Sequence, residues 1–378
     1  MSATLLDSLH LVMQWREGVV VEEIREWPGS VEYAVRLASA DDTGSEVRCL
    51  AYTAMVGRPE PGDRVILNAS ALLKGLGTGG LAFIVAIPDR LPEDAPDSPG
   101  HIVKARYTPQ QQMFLAVDEQ DSIHHDVLID ATSLDAMPVV VADLHSALPA
   151  IIAGVRLARP DARVAYVMTD GGALPIAFSR AVAGLKEAGW LAATLTVGQA
   201  FGGDYEAVSL HSGLLAARHV VDADVTIVIQ GPGNVGTGTP WGYSGVAAAE
   251  ALHATHVLDG TSIAALRVSG GDPRPRHRGI SHHSTTAYGK ALLSPAIVPV
   301  LAGGGELAAL IRRQATELAA HSRADLDVVE IGTEGVLEAL RQTPVKLSTM
   351  GRGLEEDLAA FIVSAVAGVC AAQRISER

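Results

Sequence analysis

Five polar segments of this chain each begin where an apolar, β-branched run stops. Asp143-Leu144-His145-Ser146 follows the run 138–142, and Thr169-Asp170-Gly171-Gly172 follows 164–168. The segment from Gly198 to Glu206, which carries Asp204, follows 191–197, and Gln230 to Thr239 follows 225–229. Ser269 to Ser284, with four arginine or histidine residues by position 278, follows 263–268. In an open parallel sheet, ligands bind beyond the carboxyl ends of the strands. Loops of this composition at the same end of several strands are therefore expected to converge on one rim.

Two of these loops suit an anion. Gly231, Gly233, Gly236, Thr237, Gly238 and Thr239 could bring backbone N–H groups close to a negative group, with a helix N-terminus behind them. The pattern is neither a P-loop nor a Gly-x-Gly-x-x-Gly fingerprint, and tight turns use glycine equally well. The segment 271–290 holds Arg274, Arg276, Arg278 and Lys290 against Asp272 alone, with three histidines, inside a chain of net charge −14. Arginine forks suit carboxylate or phosphate. A solvated loop or a subunit contact is the plain alternative. Acid–base work at this rim would fall to Asp170, Asp204 or His282. Asp143, His145, Asp204, Glu206, His282 and His283 are also of the right types for a divalent metal, although their spacing matches no standard signature. Nucleophile arrangements are weaker: Gly242-Tyr243-Ser244-Gly245 is one residue short of a nucleophile elbow, and Ser281 adjoins His282 only in sequence.

The elements that must position these residues are legible as texture. Residues 16–88 read as five short strands separated by turns. In 31–37, Val31, Tyr33, Val35 and Leu37 alternate with Glu32 and Arg36. Residues 1–90 are therefore expected to form a small β-barrel or sandwich-like domain. Residues 91–100 form a proline-rich linker. From 101 to 378 continuous apolar runs alternate with amphipathic stretches such as 174–188 and 306–320, the pattern of a mainly parallel sheet with helices on both faces. A last helix is expected over 354–372, opening with Glu355, Glu356 and Asp357.

Composition excludes some function classes. Residues 1–100 contain 8 Lys or Arg and 15 Asp or Glu, a difference of −7, and few aromatics, which disfavours single-stranded nucleic acid on the barrel. Two cysteines far apart, Cys49 and Cys370, make no disulfide framework and fit a reducing cytoplasm. No signal peptide is read, and the longest uncharged apolar stretch, 358–372, is short of a membrane span. A hydrophobic fraction of 48% with 19% charged residues is compatible with surface hidden in a homo-oligomer.

Five segments are distinctive in combination: Gly75-Leu76-Gly77-Thr78-Gly79-Gly80, the stretch 200–207, Gly231 to Thr239, Arg276-His277-Arg278-Gly279-Ile280-Ser281-His282-His283, and Ser348-Thr349-Met350-Gly351-Arg352-Gly353. In these the chain resembles a bacterial family designated domain of unknown function 3866, over nearly its whole length. The resemblance implies a bacterial cytoplasmic protein and carries over no catalytic role. The residues themselves point to a small anionic, phosphate-bearing metabolite as partner. The rivals are a metal-dependent hydrolase and a non-catalytic assembly or regulatory module. The sequence names no cofactor.

Overall fold

A computed structural model of the chain describes residues 13–38, 45–94, 96–272 and 274–376. It divides into two compact units, residues 1–98 and 99–378.

The first unit is a closed barrel. Its strands are β1 (Trp15–Trp27), β2 (Ser30–Leu37), β3 (Glu46–Tyr52), β4 (Arg64–Asn68) and β5 (Ala82–Ala86), with two single-turn helices, α1 (Thr53–Val56) and α2 (Ser70–Leu73). β1 pairs antiparallel with both β2 and β4, and β3 lies parallel to β5, so the ring closes in the order β1-β2-β3-β5-β4. Closure removes the exposed sheet edges that an open sandwich would have to protect. The alternation in β2 sets its facing: Val31, Tyr33, Val35 and Leu37 all enter the barrel core. β1 serves two neighbours by bending at register shifts between Val20 and Glu22 and between Glu23 and Arg25. At Gly18 a Cβ would meet Val35 Cγ1 at 2.6 Å and Arg36 O at 2.8 Å, so the strands approach as closely as they do only because the residue is glycine.

The second unit opens with a short ribbon, β6 (Ile102–Lys104) and β7 (Gln112–Phe114), and α3 (His125–Leu128). The chain then runs β8 (Pro138–Val141), α4 (Leu148–Ala158), β9 (Val164–Thr169), α5 (Arg180–Glu187), β10 (Ala193–Thr196), β11 (Tyr205–Glu206), α6 (Leu210–His219) and β12 (Val225–Gln230). It continues through α7 (Ala248–Val257), β13 (Thr261–Ala264), a second ribbon of β14 (Val268–Ser269) and β15 (Gly279–Ile280), and α8 (His282–Thr286). Last come β16 (Ala296–Leu301), α9 (Glu306–His321), β17 (Leu326–Ile331), α10 (Val336–Arg341), a third ribbon of β18 (Ser348–Thr349) and β19 (Arg352–Gly353), and α11 (Leu358–Ala372). Eight of these strands form one parallel sheet in the order β11-β10-β9-β12-β8-β13-β16-β17. β8, β9 and β12 are mostly apolar and almost completely buried, as a sheet covered on both faces requires.

That strand order contains a reversal. From β8 the chain steps to β9, β10 and β11 on one side, returns through β12, and crosses to β13, β16 and β17 on the other. The neighbours β8 and β13 therefore send their following segments in opposite directions. The divergence leaves a crevice beyond their carboxyl ends.

Two local expectations are corrected. The helix expected over 174–188 breaks at Ser179, which caps α5 by accepting a hydrogen bond from Val182 N at 3.1 Å; a single turn, Ile176–Phe178, precedes it. Glu355, Glu356 and Asp357 lie before α11 rather than in its first turn, because Asp357 is drawn into a buried cluster instead of capping the helix.

Candidate functional site

The crevice between β8 and β13 is lined on one side by residues following β8, including Asp143 and Ser146. On the other side lie Arg267 and Ser269, which follow β13. The remaining wall comes from His277, Ser281, Thr349, Arg352 and Asp357. Its volume is about 40 Å³, room for roughly three water molecules. It could take one phosphate or carboxylate group and not a whole drug-sized molecule, whose pockets start at about 300 Å³.

Each wall has a local cause. The segment Ser348 to Gly353 is a two-residue hairpin: Met350 has φ 49° and Gly351 φ 81°, the positive values a tight hairpin turn needs, and the register sets Thr349 opposite Arg352. Arg352 Nε donates to Asp357 at 3.0 Å, and Asp357 also accepts from Gly270 N at 2.9 Å and from Ser269 Oγ. This fully buried carboxylate thereby ties α11, β14 and the hairpin together. On the β13 side, Arg267 Nη1 donates to Asp143 Oδ2 at 3.3 Å and to His283 Nδ1 at 2.7 Å. A guanidinium has no acceptor, so His283 Nδ1 accepts and the ring proton sits on Nε2. Tyr243 stacks on the His283 ring at 4.1 Å and donates to the His283 carbonyl at 2.6 Å. Burial works against the Asp143 carboxylate and the Arg267 guanidinium beside it works the other way; its pKa lies below the usual range.

Ser281 is the N-cap of α8, and its Oγ accepts from His283 N at 3.3 Å. It lies 2.9 Å from His277 Nδ1, while Arg276 Nε approaches His277 Nε2 at 3.4 Å. With Arg276 donating to Nε2, Nδ1 carries the proton and donates to Ser281. The Ser281 hydroxyl proton is then free to point into the crevice. That polarity makes Ser281 a hydrogen-bond donor to a ligand rather than an activated nucleophile. Burial, followed by the charge of Arg274, lowers the His277 pKa to about 4.

Donors without a partner among the described residues are Arg267 Nη2, Arg352 Nη1, and the hydroxyl protons of Ser281 and Thr349. Asp143 Oδ1 has no hydrogen-bond donor among the described residues either.

The residues expected from sequence fall in several places. Arg274 is on the loop of the β14–β15 ribbon, where its Nε and Nη2 donate to Asp272 at 2.9 and 2.7 Å. Its negative partner is thus the protein's own carboxylate, whose pKa this pairing holds far below the usual range. Arg276 and Arg278 are exposed on the same loop, with no carboxylate partner among the described residues. Several N–H groups of the glycine loop are already used: Gly231 N donates to Thr169 O at the end of β9, Val235 N to Ser244 Oγ, and Thr237 N to Gly242 O at 2.7 Å. Gly231 itself is a packing glycine, since a Cβ there would lie 2.4 Å from Ala173 O.

The proposed acids and bases have separate partners. Asp170 accepts from Gln199 N, Asp204 is held by Lys186 and Thr194, and His282 packs against the His277 and His283 rings at 4.7 and 4.3 Å.

Among the described residues no group of three or more His, Cys, Asp or Glu could hold an ion. The reason lies in the partners. Asp143 answers Arg267, Asp204 answers Lys186, and Glu206 is locked to the buried Lys104 at 2.7 Å. His145 donates from Nδ1 to Tyr166 Oη at 3.1 Å and accepts from Ser179 Oγ at 2.7 Å, because the Tyr166 hydroxyl already donates to Ile229 O. Arg267, Thr349, Arg352 and Asp357, which the sequence did not mark as site residues, line the crevice. The signal for Arg267 was a cation inside an otherwise apolar run. For the other three it was the Met350-Gly351 turn, whose type only the backbone reveals.

Burial lowers the His145 pKa from 6.5 to about 4. The unfolded chain then binds the extra proton between those values, so stability is intact above pH 6.5 and falls as pH drops toward 4, by about 3 kcal/mol for this group. His145→Gln, which keeps an acceptor for Ser179, is expected to flatten that slope in urea melts taken from pH 7 to pH 4. An unchanged slope would place the titration elsewhere.

The family model described as "Protein of unknown function (DUF3866)" matches residues 48–368. The chain belongs to this family. The DUF3866 match covers the crevice residues and the barrel from β3 onward, leaving out β1 and β2, and supplies no activity. No curated protein and no solved structure matched the chain. Among the described residues no helix is long and apolar enough to cross a membrane.

Proposed function

We propose that this DUF3866 protein binds the anionic group of a small, phosphate-bearing metabolite in the crevice between β8 and β13. The observation that carries the reading is the set of donors there without a partner, Arg267 Nη2, Arg352 Nη1 and the Ser281 and Thr349 hydroxyls, at the strand-order reversal of a parallel sheet. Their formal charges do not create an anion trap by themselves. Arg267, Arg274 and Arg352 face Asp143, Asp272 and Asp357, so the six sum to zero. Attraction comes from aimed hydrogen bonds, which favours a specific oxyanion over general anion condensation. Asp143 Oδ1 refines this: a ligand oxygen that carries a proton, as one of phosphate's can, would donate to it, and sulfate at neutral pH offers no such proton.

Inorganic phosphate is therefore expected to raise the melting temperature more than sulfate at matched ionic strength. The stabilisation should reach about 2.7 kcal/mol at a hundredfold excess over Kd. Thr349→Val should cut the phosphate gain several-fold with a ligand-free cost of only about 1 kcal/mol from the lost Ser146 contact. Arg278→Ala should leave the gain within about twofold, since its side chain does not line the crevice. Equal shifts from phosphate, sulfate and chloride would mean screening alone, and would overturn the reading.

A further inference from the structure

A crevice of about 40 Å³ can receive one oxyanion group, so the rest of any metabolite bound there lies outside it. What stands next to it is the loop from Gly231 to Tyr243. Its outer end, Tyr243, stacks on His283, the residue that Arg267 contacts from the crevice wall. Trp241 is two residues before Tyr243, at most about 7.6 Å away between Cα atoms. It is 56% exposed, an unusual fraction for an indole in a folded loop.

The loop holding it is tightly made. Thr237 N donates to Gly242 O, the Thr237 and Thr239 hydroxyls meet at 3.1 Å, and Gly242 N donates to Thr239 Oγ1 at 3.2 Å. Gly236 bridges to Tyr243. At Gly242 a Cβ would lie 2.1 Å from Thr237 Oγ1 and 2.6 Å from Thr239 Oγ1, so only glycine fits under the two threonines. The glycines and threonines thus fold the loop on itself and hold Trp241 out in water on a fixed base.

We propose that Trp241 is a stacking platform, and that the ligand is an anion carrying a planar ring, such as a nucleoside monophosphate or an aromatic acid phosphate. This rests on the crevice as the seat of the phosphate. A ring stacks on an indole whatever its edge pattern, so affinity gained this way is tolerant of ring identity.

Three probes separate the parts: inorganic phosphate, ribose 5-phosphate and adenosine 5′-monophosphate, titrated by calorimetry and by tryptophan emission. The nucleotide is expected to bind about 5- to 150-fold more tightly than ribose 5-phosphate and to quench emission. Trp241→Ala should bring the two sugar phosphates within twofold of each other and remove the quench, while Trp241→Phe keeps most of the preference. Inorganic phosphate should bind all three proteins alike. Equal binding of the two sugar phosphates by the unmodified chain, or a preference that survives Trp241→Ala, overturns the platform while leaving the crevice reading standing. Failure of all three probes to bind overturns the crevice reading and the platform with it.

Discussion

Replacing Gly154 or Gly368 with alanine is expected to destabilise the α/β unit by about 3 kcal/mol or more, among the largest effects a single methyl can have. The two glycines are reciprocal. A Cβ on Gly154, in α4, would lie 1.8 Å from Ala365 O of α11, and a Cβ on Gly368, in α11, would lie 1.9 Å from Ile151 O of α4. Both contacts are with backbone, so no side-chain rotation relieves them and the helices must move apart. Nearly all of α11 is buried, from Ala359 to Ala372, and separation would loosen that packing as well. The double variant should cost clearly less than the sum of the singles, because the first methyl already opens the gap that the second would need. Gly332→Ala is the control: nothing lies within 4 Å of its Cβ position, and its effect should stay within about 1 kcal/mol. Chemical denaturation of all four proteins gives the comparison. Additive costs would mean that the two sites do not share one contact.

Lys104→Met is expected to cost about 3–5 kcal/mol, for an electrostatic reason. Lys104 is fully buried, and its Nζ donates to Thr196 O at 2.9 Å, Ala200 O at 2.8 Å and Glu206 Oε2 at 2.7 Å, so each ammonium proton is used. These bonds pin the β6–β7 ribbon to the β10–β11 edge of the sheet. Burial lowers the Lys104 pKa and raises that of Glu206 despite their attraction. Methionine fills the space but leaves Glu206 buried without a counter-charge and the Ala200 carbonyl without its donor, while Thr196 O keeps the Ala207 N–H. Glu206 then takes up a proton. Its folded pKa lies above the unfolded 4.5, so in the variant stability is present at low pH and is lost as pH rises through that folded value. The deficit against the unmodified protein should be smallest near pH 4 and largest at neutral pH. Lys104→Met combined with Glu206→Gln should recover part of it. A deficit independent of pH would mean that lost packing dominates over the unpaired carboxylate.

The expectations that held were those in which burial itself writes the pattern. A strand buried on both faces is apolar for most of its length, so β9 and β12 appear as the runs 164–168 and 225–229, and a half-buried barrel strand must alternate, as Val31 to Leu37 does. The rim was legible for the same reason, since polarity returns only where the strands end. Long-range pairing was not legible. Nothing in local sequence joins Asp143 to Arg267, 124 positions later, or Lys104 to Glu206, 102 positions later. The acidic residues before α11 read as a helix start until Asp357 is seen to face Ser269 and Arg352. The glycine loop was ambiguous by nature, because glycine serves a turn and an anion cradle equally well. The hydrogen bonds within it and the contacts at Gly231 and Gly242 show a loop folded tightly on itself.

An oxyanion seated between β8 and β13 would be located in a crystal soaked in arsenate. Arsenate carries protonated oxygens as phosphate does, and its arsenic is located by anomalous scattering. A peak is expected within hydrogen-bonding reach of Arg267, Arg352, Ser281 and Thr349, with one oxygen against Asp143. A peak on the loop from Gly231 to Thr239, or at Arg276 and Arg278, or no peak at an arsenate concentration where phosphate raises the melting temperature, would contradict it.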